Sequence, residues 1–120
     1  MTPAQFIDNA IGIGASAGLA ALTPVQRMVF LISEAEVYCD KDGIDSFLDR
    51  YGTSGIKELA VAFREVGALS ITEALFGIVS HESAHEAFLA RANVLITGRA
   101  GYDYNNIERM VASRLSTGEL

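Results

Sequence analysis

Residues 81 to 85 read His-Glu-Ser-Ala-His, a spacing that can carry hydrolytic chemistry. On one continuous helix, His81 and His85 would lie one turn apart and could bind the same zinc ion through their imidazoles. Glu82 would then be placed to act as the general base for an attacking water. If the helix is continuous from His81 to His85, the motif predicts a small zinc-dependent hydrolase.

Other features of the sequence argue against this zinc chemistry. The motif needs a third ligand, and the downstream candidates in range are Asp103 and Glu108. Ser83 and Glu86 have the spacing of a capping box, and a helix that begins after Ser83 would leave His81 outside it. The likeness to gluzincin-type metallopeptidases covers only these five residues of 120. We therefore keep the hydrolase as the alternative function; the main interpretation predicts no enzyme activity, no catalytic residue, no metal and no other cofactor.

A second group of chemically active residues is acidic. Within the sixteen residues from 34 to 49, six carboxylates stand against one lysine: Glu34, Glu36, Asp40, Asp42, Asp45 and Asp49. A calcium loop needs glycine at its sixth position and glutamate at its twelfth. Counted from Asp40, those positions hold Asp45 and Tyr51, so the sequence does not predict a calcium site.

Two interpretations of the acidic residues stay open. Asp42 and Asp45 stand where a helix begins, and the helix dipole stabilises negative charge there while the other acids are simply solvated. Alternatively, the acids form one face that binds a partner, which would also offset the repulsion between carboxylates four residues apart on a helix. For this second interpretation the predicted partner is a protein with a basic surface. The predicted binding residues are Glu34, Asp40, Asp42, Asp45 and Asp49.

Glu36 is unusual because helical spacing places it on the apolar stripe between Ile32 and Cys39. A carboxylate in such a place must be paired, hydrogen-bonded or protonated. An ion pair that fixes helix packing is the favoured interpretation, with a catalytic base as the alternative. The predicted pairing partners are Arg27, Arg50 and Arg64.

Composition restricts the possible partners and the compartment. Fifteen acidic residues against nine basic ones give a net charge of −6, which repels phosphate backbones and anionic membranes. We therefore expect neither direct nucleic-acid binding nor membrane binding. The apolar run at residues 10–22 has no Lys or Arg before it, unlike a secretory signal, and it is too short to span a bilayer. Cys39 is the single cysteine, so no internal disulfide forms, and the sequence predicts a cytoplasmic protein.

The elements that must position these residues are helices throughout. Thr23, Pro24 and Gln26 combine a capping hydroxyl, a proline at the first helical position and a glutamine that reaches back to the cap. The helix that follows is apolar on most of its surface and is therefore expected to be central. The other predicted helices cover residues 3–21 or begin at Asp42, at Ser54, at Ser70, after a break at 80–83, and at Asp103. No alternating strand pattern competes, so residues 1–120 are predicted to form one all-α domain, a compact bundle of six or seven short helices.

The order of features from Leu22 to Gly52 resembles a bacterial family of all-α domains of unknown function that includes a DNA-mimic protein. The matching residues are Leu22-Thr23-Pro24 with Gln26-Arg27, Glu36-Val37, a glycine turn before Phe47, Tyr51-Gly52, and Glu65-Val66-Gly67-Ala68. Members of that family typically have Asn-Gly-Gly-Phe at the corner, where this chain has Asp42-Gly43-Ile44.

The resemblance implies a non-enzymatic helical protein that forms a homodimer. It also implies that carboxylates, spaced somewhat like phosphates, are presented to a DNA-binding protein. The resemblance assigns this binding role to the acidic residues of the segment from 34 to 49. From this resemblance and the acidic segment we predict a protein-interaction module, similar to a DNA mimic, that regulates a DNA-binding protein.

Overall fold

The computed structural model describes residues 1–81 and 85–118, and in these residues the chain forms α-helices and one 3-10 helix without any strand. This confirms the predicted all-α bundle. The elements are α1 (Pro3–Ala17), a 3-10 helix (Leu19–Ala21), α2 (Pro24–Lys41), α3 (Ile44–Glu65), α4 (Leu69–Ser80), α5 (His85–Thr97) and α6 (Tyr104–Thr117).

Capping boxes start α1, α2 and α6, and those of α2 and α6 begin at caps that the sequence predicted. Thr23 accepts a hydrogen bond from the Gln26 amide, and the Gln26 side chain accepts one from the Thr23 amide at 2.9 Å, so the capping box predicted for α2 is confirmed. Asp103 and Asn106 make the same reciprocal pair at the start of α6, where Asp103 was the predicted cap. Each cap satisfies backbone amides that have no partner within the helix.

The apolar helix α2 lies at the centre of the bundle. It packs against α1, α3, α5 and α6, while α3 packs mainly on α4 and α4 on α5. The buried core runs through all of these contacts, and Phe47 and Phe63 are among its largest fully buried side chains. The end of α2 and the start of α3 are therefore packed against the hydrophobic core.

Two helix starts or ends differ from the sequence prediction. Helix α1 ends at Ala17 and not near residue 21, because Gly18 has a φ of 86° and breaks the helix before the short 3-10 turn. Helix α4 begins at Leu69 after Ala68, which makes no side-chain capping bond, so the prediction of a capping box with Ser70 as the N-cap is wrong and the helix begins two residues earlier. Ala68, the residue that precedes this helix, is fully buried.

Helix α3 contains a break at Gly52. The backbone there has φ 72° and ψ −176°, a conformation that glycine adopts without the steric cost other residues meet. The sequence prediction of a helix stop at this glycine is therefore confirmed, although helical residues resume immediately after it. Residues 44–51 and residues 53–65 form two segments with different directions.

Within residues 1–81 and 85–118, none of the helices has the length and apolarity needed to cross a membrane.

Candidate functional site

Four of the predicted partner-binding residues lie around the turn between α2 and α3, which we call the acidic corner: Asp40, Asp42, Asp45 and Asp49. All four side chains are exposed. Asp45 and Asp49 are one turn apart in the first segment of α3, and Asp45 reaches back toward Gly43, where a Cβ atom would lie 2.7 Å from its Oδ1. The structure thus brings these aspartates to one end of the α2–α3 pair.

No basic side chain that the structure describes makes an ion pair within 4.0 Å with an aspartate of the acidic corner. Among the described residues, ion pairs within 4.0 Å join arginines only to Glu36, Glu58 and Glu65. Glu34, the fifth predicted binding residue, is different because it is half-buried and accepts a hydrogen bond of 2.8 Å from the Tyr51 hydroxyl. Glu34 therefore links α2 to α3 through Tyr51, while the four aspartates remain exposed at the surface of the corner.

The turn itself is held by backbone hydrogen bonds and by a side chain from α5. The amides of Asp42 and Gly43 both donate to the carbonyl of Tyr38, at 2.8 and 2.7 Å, and Gly43 turns the chain with a φ of 106°. Asn93 then reaches across, and its Oδ1 accepts a hydrogen bond of 2.6 Å from the Ile44 amide. This bond satisfies a backbone donor that has no partner within the helix at the start of α3, and it ties the corner to α5.

Aromatic rings fill the space beneath the corner. Phe47 is fully buried and packs edge-on against Tyr38, with ring centroids 6.2 Å apart, and against Tyr51 at 4.7 Å. The Arg50 guanidinium lies 5.4 Å from the centre of the Tyr51 ring. The corner backbone consequently rests on a packed aromatic cluster that joins both helices.

Cys39 lies beside the corner as an unreactive thiol. Burial, followed by the nearby charges of Asp40, Asp45 and Glu36, raises the pKa of Cys39 to about 12. The nucleophilic form of cysteine is the thiolate, which this environment suppresses at neutral pH. The Cys39 thiol instead donates a weak hydrogen bond to Asn93 at 3.6 Å.

We expect Asn93→Ala to lower the free energy of unfolding by about 1–2 kcal/mol, because it leaves the amide of the fully buried Ile44 without an acceptor. Chemical denaturation followed by circular dichroism measures this loss. Val94→Ala serves as the control, since Val94 is 73% exposed and its truncation should change stability by no more than about 0.5 kcal/mol. Equal stability of the two variants would show that Asn93 does not hold the corner.

Glu36 forms a polar cluster with Arg99 and Tyr102. The prediction that it pairs with Arg27, Arg50 or Arg64 is wrong, because its Oε2 lies 3.0 Å from Nε of Arg99. The same carboxylate accepts a hydrogen bond of 2.6 Å from the hydroxyl of Tyr102. Arg99 reaches it from just beyond α5, where its φ of 50° is rare for a residue other than glycine. Both contacts of Glu36 therefore support the packing of α2 against the connection between α5 and α6.

The partly buried thiol of Cys39 and the buried hydroxyl of Tyr102 predict how the stability of the fold changes at alkaline pH. Burial and the Glu36 carboxylate raise the pKa of Tyr102 above its ordinary value of 10.0, and the pKa of Cys39 rises from 9.0 to about 12. Above pH 9 the unfolded chain releases these protons while the native state retains them, so the free energy of unfolding falls as pH rises. Urea unfolding between pH 8 and pH 11 should show this decline.

The variants Cys39→Ala and Tyr102→Phe should each give a shallower decline than the unmodified chain. The slope with pH is the relevant quantity, because each substitution also removes a hydrogen bond and lowers stability at every pH. A Cys39→Ala slope parallel to that of the unmodified chain would show that the native state does not retain the thiol proton.

The helical geometry required for the zinc motif is not present at its first histidine. His81 follows α4 with φ −130° and ψ 83°, outside the helical region, and α5 begins at His85. Its imidazole packs against Phe88 with ring centroids 5.3 Å apart, whereas Nδ1 of His85 lies 3.1 Å from the carbonyl oxygen of Ile78. Glu82 and the predicted cap Ser83 lie outside the described residues. In the part of the chain described, no group of three His, Cys, Asp or Glu side chains is arranged to hold a metal ion.

Comparison with known proteins found no matching family model, curated protein or solved structure. The resemblance to the family that includes a DNA mimic therefore stays an expectation from sequence.

Proposed function

We propose that this protein is a non-enzymatic interaction module whose acidic corner binds a basic surface on a protein partner. The partner class is a DNA-binding protein, whose phosphate-binding cations would pair with the aspartates, so the chain acts as a regulator similar to a DNA mimic. The single observation that carries the proposal is the group of four exposed aspartates without basic partners among the described residues.

The rigidity of the corner supports this function. Carboxylates on a flexible loop would lose conformational freedom when they bind, which weakens affinity. Here the backbone that carries them is fixed by the Tyr38 carbonyl, by Asn93 and by the buried ring of Phe47. The aspartates are thus presented with little ordering left to occur on binding.

The charge of the chain supports the same kind of partner. A net charge of −6 steers cationic proteins toward the surface, and exposed charges act mainly on the rate of association. Binding should therefore weaken with added salt, because the Debye length falls from about 10 Å at 0.1 M to about 3 Å at 1 M.

The test compares two triple variants with the same net charge. The corner variant combines Asp40→Asn, Asp45→Asn and Asp49→Asn. The remote variant combines Asp8→Asn, Glu73→Gln and Glu86→Gln, which are exposed acids on other helices. Both bring the net charge from −6 to −3. Each protein is immobilised and exposed to a panel of purified DNA-binding proteins and to lysate at 0.1 M salt.

We expect a partner that the unmodified chain and the remote variant retain, that the corner variant loses, and that excess duplex DNA displaces. Equal loss in both variants would reduce the effect to net charge and contradict a dedicated corner. Retention of the partner in the presence of saturating DNA would contradict the mimic role. The homodimer that belongs to this proposal is tested separately by analytical ultracentrifugation of the unmodified chain.

A further inference from the structure

A groove of about 440 Å³ lies between the start of α2 and the second segment of α3, away from the acidic corner. Its walls are formed by residues one turn apart on each helix: Pro24, Arg27, Met28 and Leu31 on α2, and Lys57, Glu58 and Val61 on α3. Leu31 is only 1% exposed, so the floor of the groove reaches the hydrophobic core. Small-molecule sites have this character, a mostly apolar concavity of a few hundred Å³ with few polar groups.

In the described part of the chain, the groove is lined by one ion pair and by one lysine without an ion-pair partner. Arg27 and Glu58 neutralise each other through two hydrogen bonds, of 3.0 Å and 2.6 Å, and Arg27 also donates to the Leu19 carbonyl at 3.1 Å. Lys57 is exposed, and no carboxylate of the described residues lies within 4.0 Å of it. The groove therefore combines an apolar floor with one available ammonium group.

The length of the groove restricts its occupant. Pro24 and Leu31 are seven residues apart on α2, which corresponds to about 10 Å along the helix axis. That distance is two helical turns, too short for a long amphipathic helix but sufficient for an extended chain of roughly eight carbons. We propose that the groove binds a medium-chain monocarboxylate, with the alkyl chain along Met28, Leu31 and Val61 and the carboxylate on Lys57.

The test is a titration of the ¹⁵N-labelled chain with octanoate and, separately, with 1-octanol, followed by amide chemical shifts. We expect octanoate to bind more tightly, with shifts confined to α2 and the second segment of α3. Binding should tighten about fourfold for each methylene added from hexanoate to octanoate, because each buried methylene contributes a nearly constant transfer free energy.

Three variants test the assignment of residues. Lys57→Gln should weaken octanoate binding several-fold and leave octanol unchanged, while the control Lys41→Gln, which removes an exposed lysine elsewhere, should alter neither. Val61→Trp should fill the groove and abolish the binding of both ligands, with thermal unfolding used to confirm that the variant folds. Met28→Trp provides the same block from the α2 wall.

Several results would overturn the proposal. If octanoate and octanol bind with equal affinity, and Lys57→Gln changes neither affinity, the ligand is not recognised through a carboxylate. If octanoate changes no amide chemical shift of the groove residues, the groove is not a binding site for it. Concentration-dependent shifts in the groove without any ligand would identify a second copy of the chain as its occupant, and would likewise contradict the proposal.

Discussion

Phe47→Ala should lower the free energy of unfolding by about 3–5 kcal/mol, the usual cost of removing a fully buried aromatic side chain. Phe47 is 0% exposed and contacts the rings of Tyr38 and Tyr51. Its removal therefore leaves a cavity in the aromatic cluster beneath the acidic corner. A loss of this size is a large part of the total stability of a small protein. Guanidinium unfolding monitored by tyrosine fluorescence and circular dichroism measures it.

The control for this prediction is Phe47→Leu, which keeps most of the apolar volume and should cost about 1–1.5 kcal/mol. If both variants lose the same small amount, below about 1 kcal/mol, the aromatic cluster does not support the corner. The binding proposal adds a further expectation for Phe47→Leu, namely that it keeps the affinity for a basic partner, because its aspartates are unchanged.

Two glycines of α1 should respond in opposite directions to the same substitution. A Cβ atom at Gly14 would lie only 2.6 Å from Cγ of Phe30, too close for two non-bonded carbons, and Phe30 is itself buried. We expect Gly14→Ala to destabilise the fold by about 2–3 kcal/mol, since the ring or the helix must shift. Thermal and urea unfolding measure the change.

Gly12→Ala is the matched control on the same helix. Nothing lies within 4 Å of a Cβ atom at Gly12, and its backbone is helical, so alanine should stabilise the fold by about 0.5–1 kcal/mol through the lower entropy of the unfolded chain. Destabilisation by both substitutions would indicate that α1 packs differently from the arrangement described.

Features that depend on neighbouring residues could be predicted from sequence. The caps at Thr23 and Asp103 and the break at Gly52 follow from chemistry within a few positions, and the structure confirms each of them. The all-α class also follows locally, because apolar residues recur at helical spacing and no alternating run competes. The exposure of the corner aspartates agrees with their position around a predicted turn.

Features that depend on packing between distant segments were not predicted correctly. Glu36 was expected to pair with Arg27, Arg50 or Arg64, but its contacts with Arg99 and Tyr102 depend on how α5 and the following loop lie against α2. Asn93 was missed for the same reason, although an asparagine beside the buried Ala92 and Ile96 is a signal that sequence reasoning can use. The partners of the four aspartates stay a prediction.

The break at Gly52 also affects how the native protein fluctuates. The interruption of the helical backbone at this residue separates the hydrogen bonds of residues 44–51 from those of 53–65. Proteins open in cooperative units smaller than the whole fold, and such units commonly end where backbone hydrogen bonding is interrupted. The amides of residues 44–51 and those of residues 53–65 can therefore exchange as two separate units, each protected by its own fully buried ring, Phe47 in the first and Phe63 in the second.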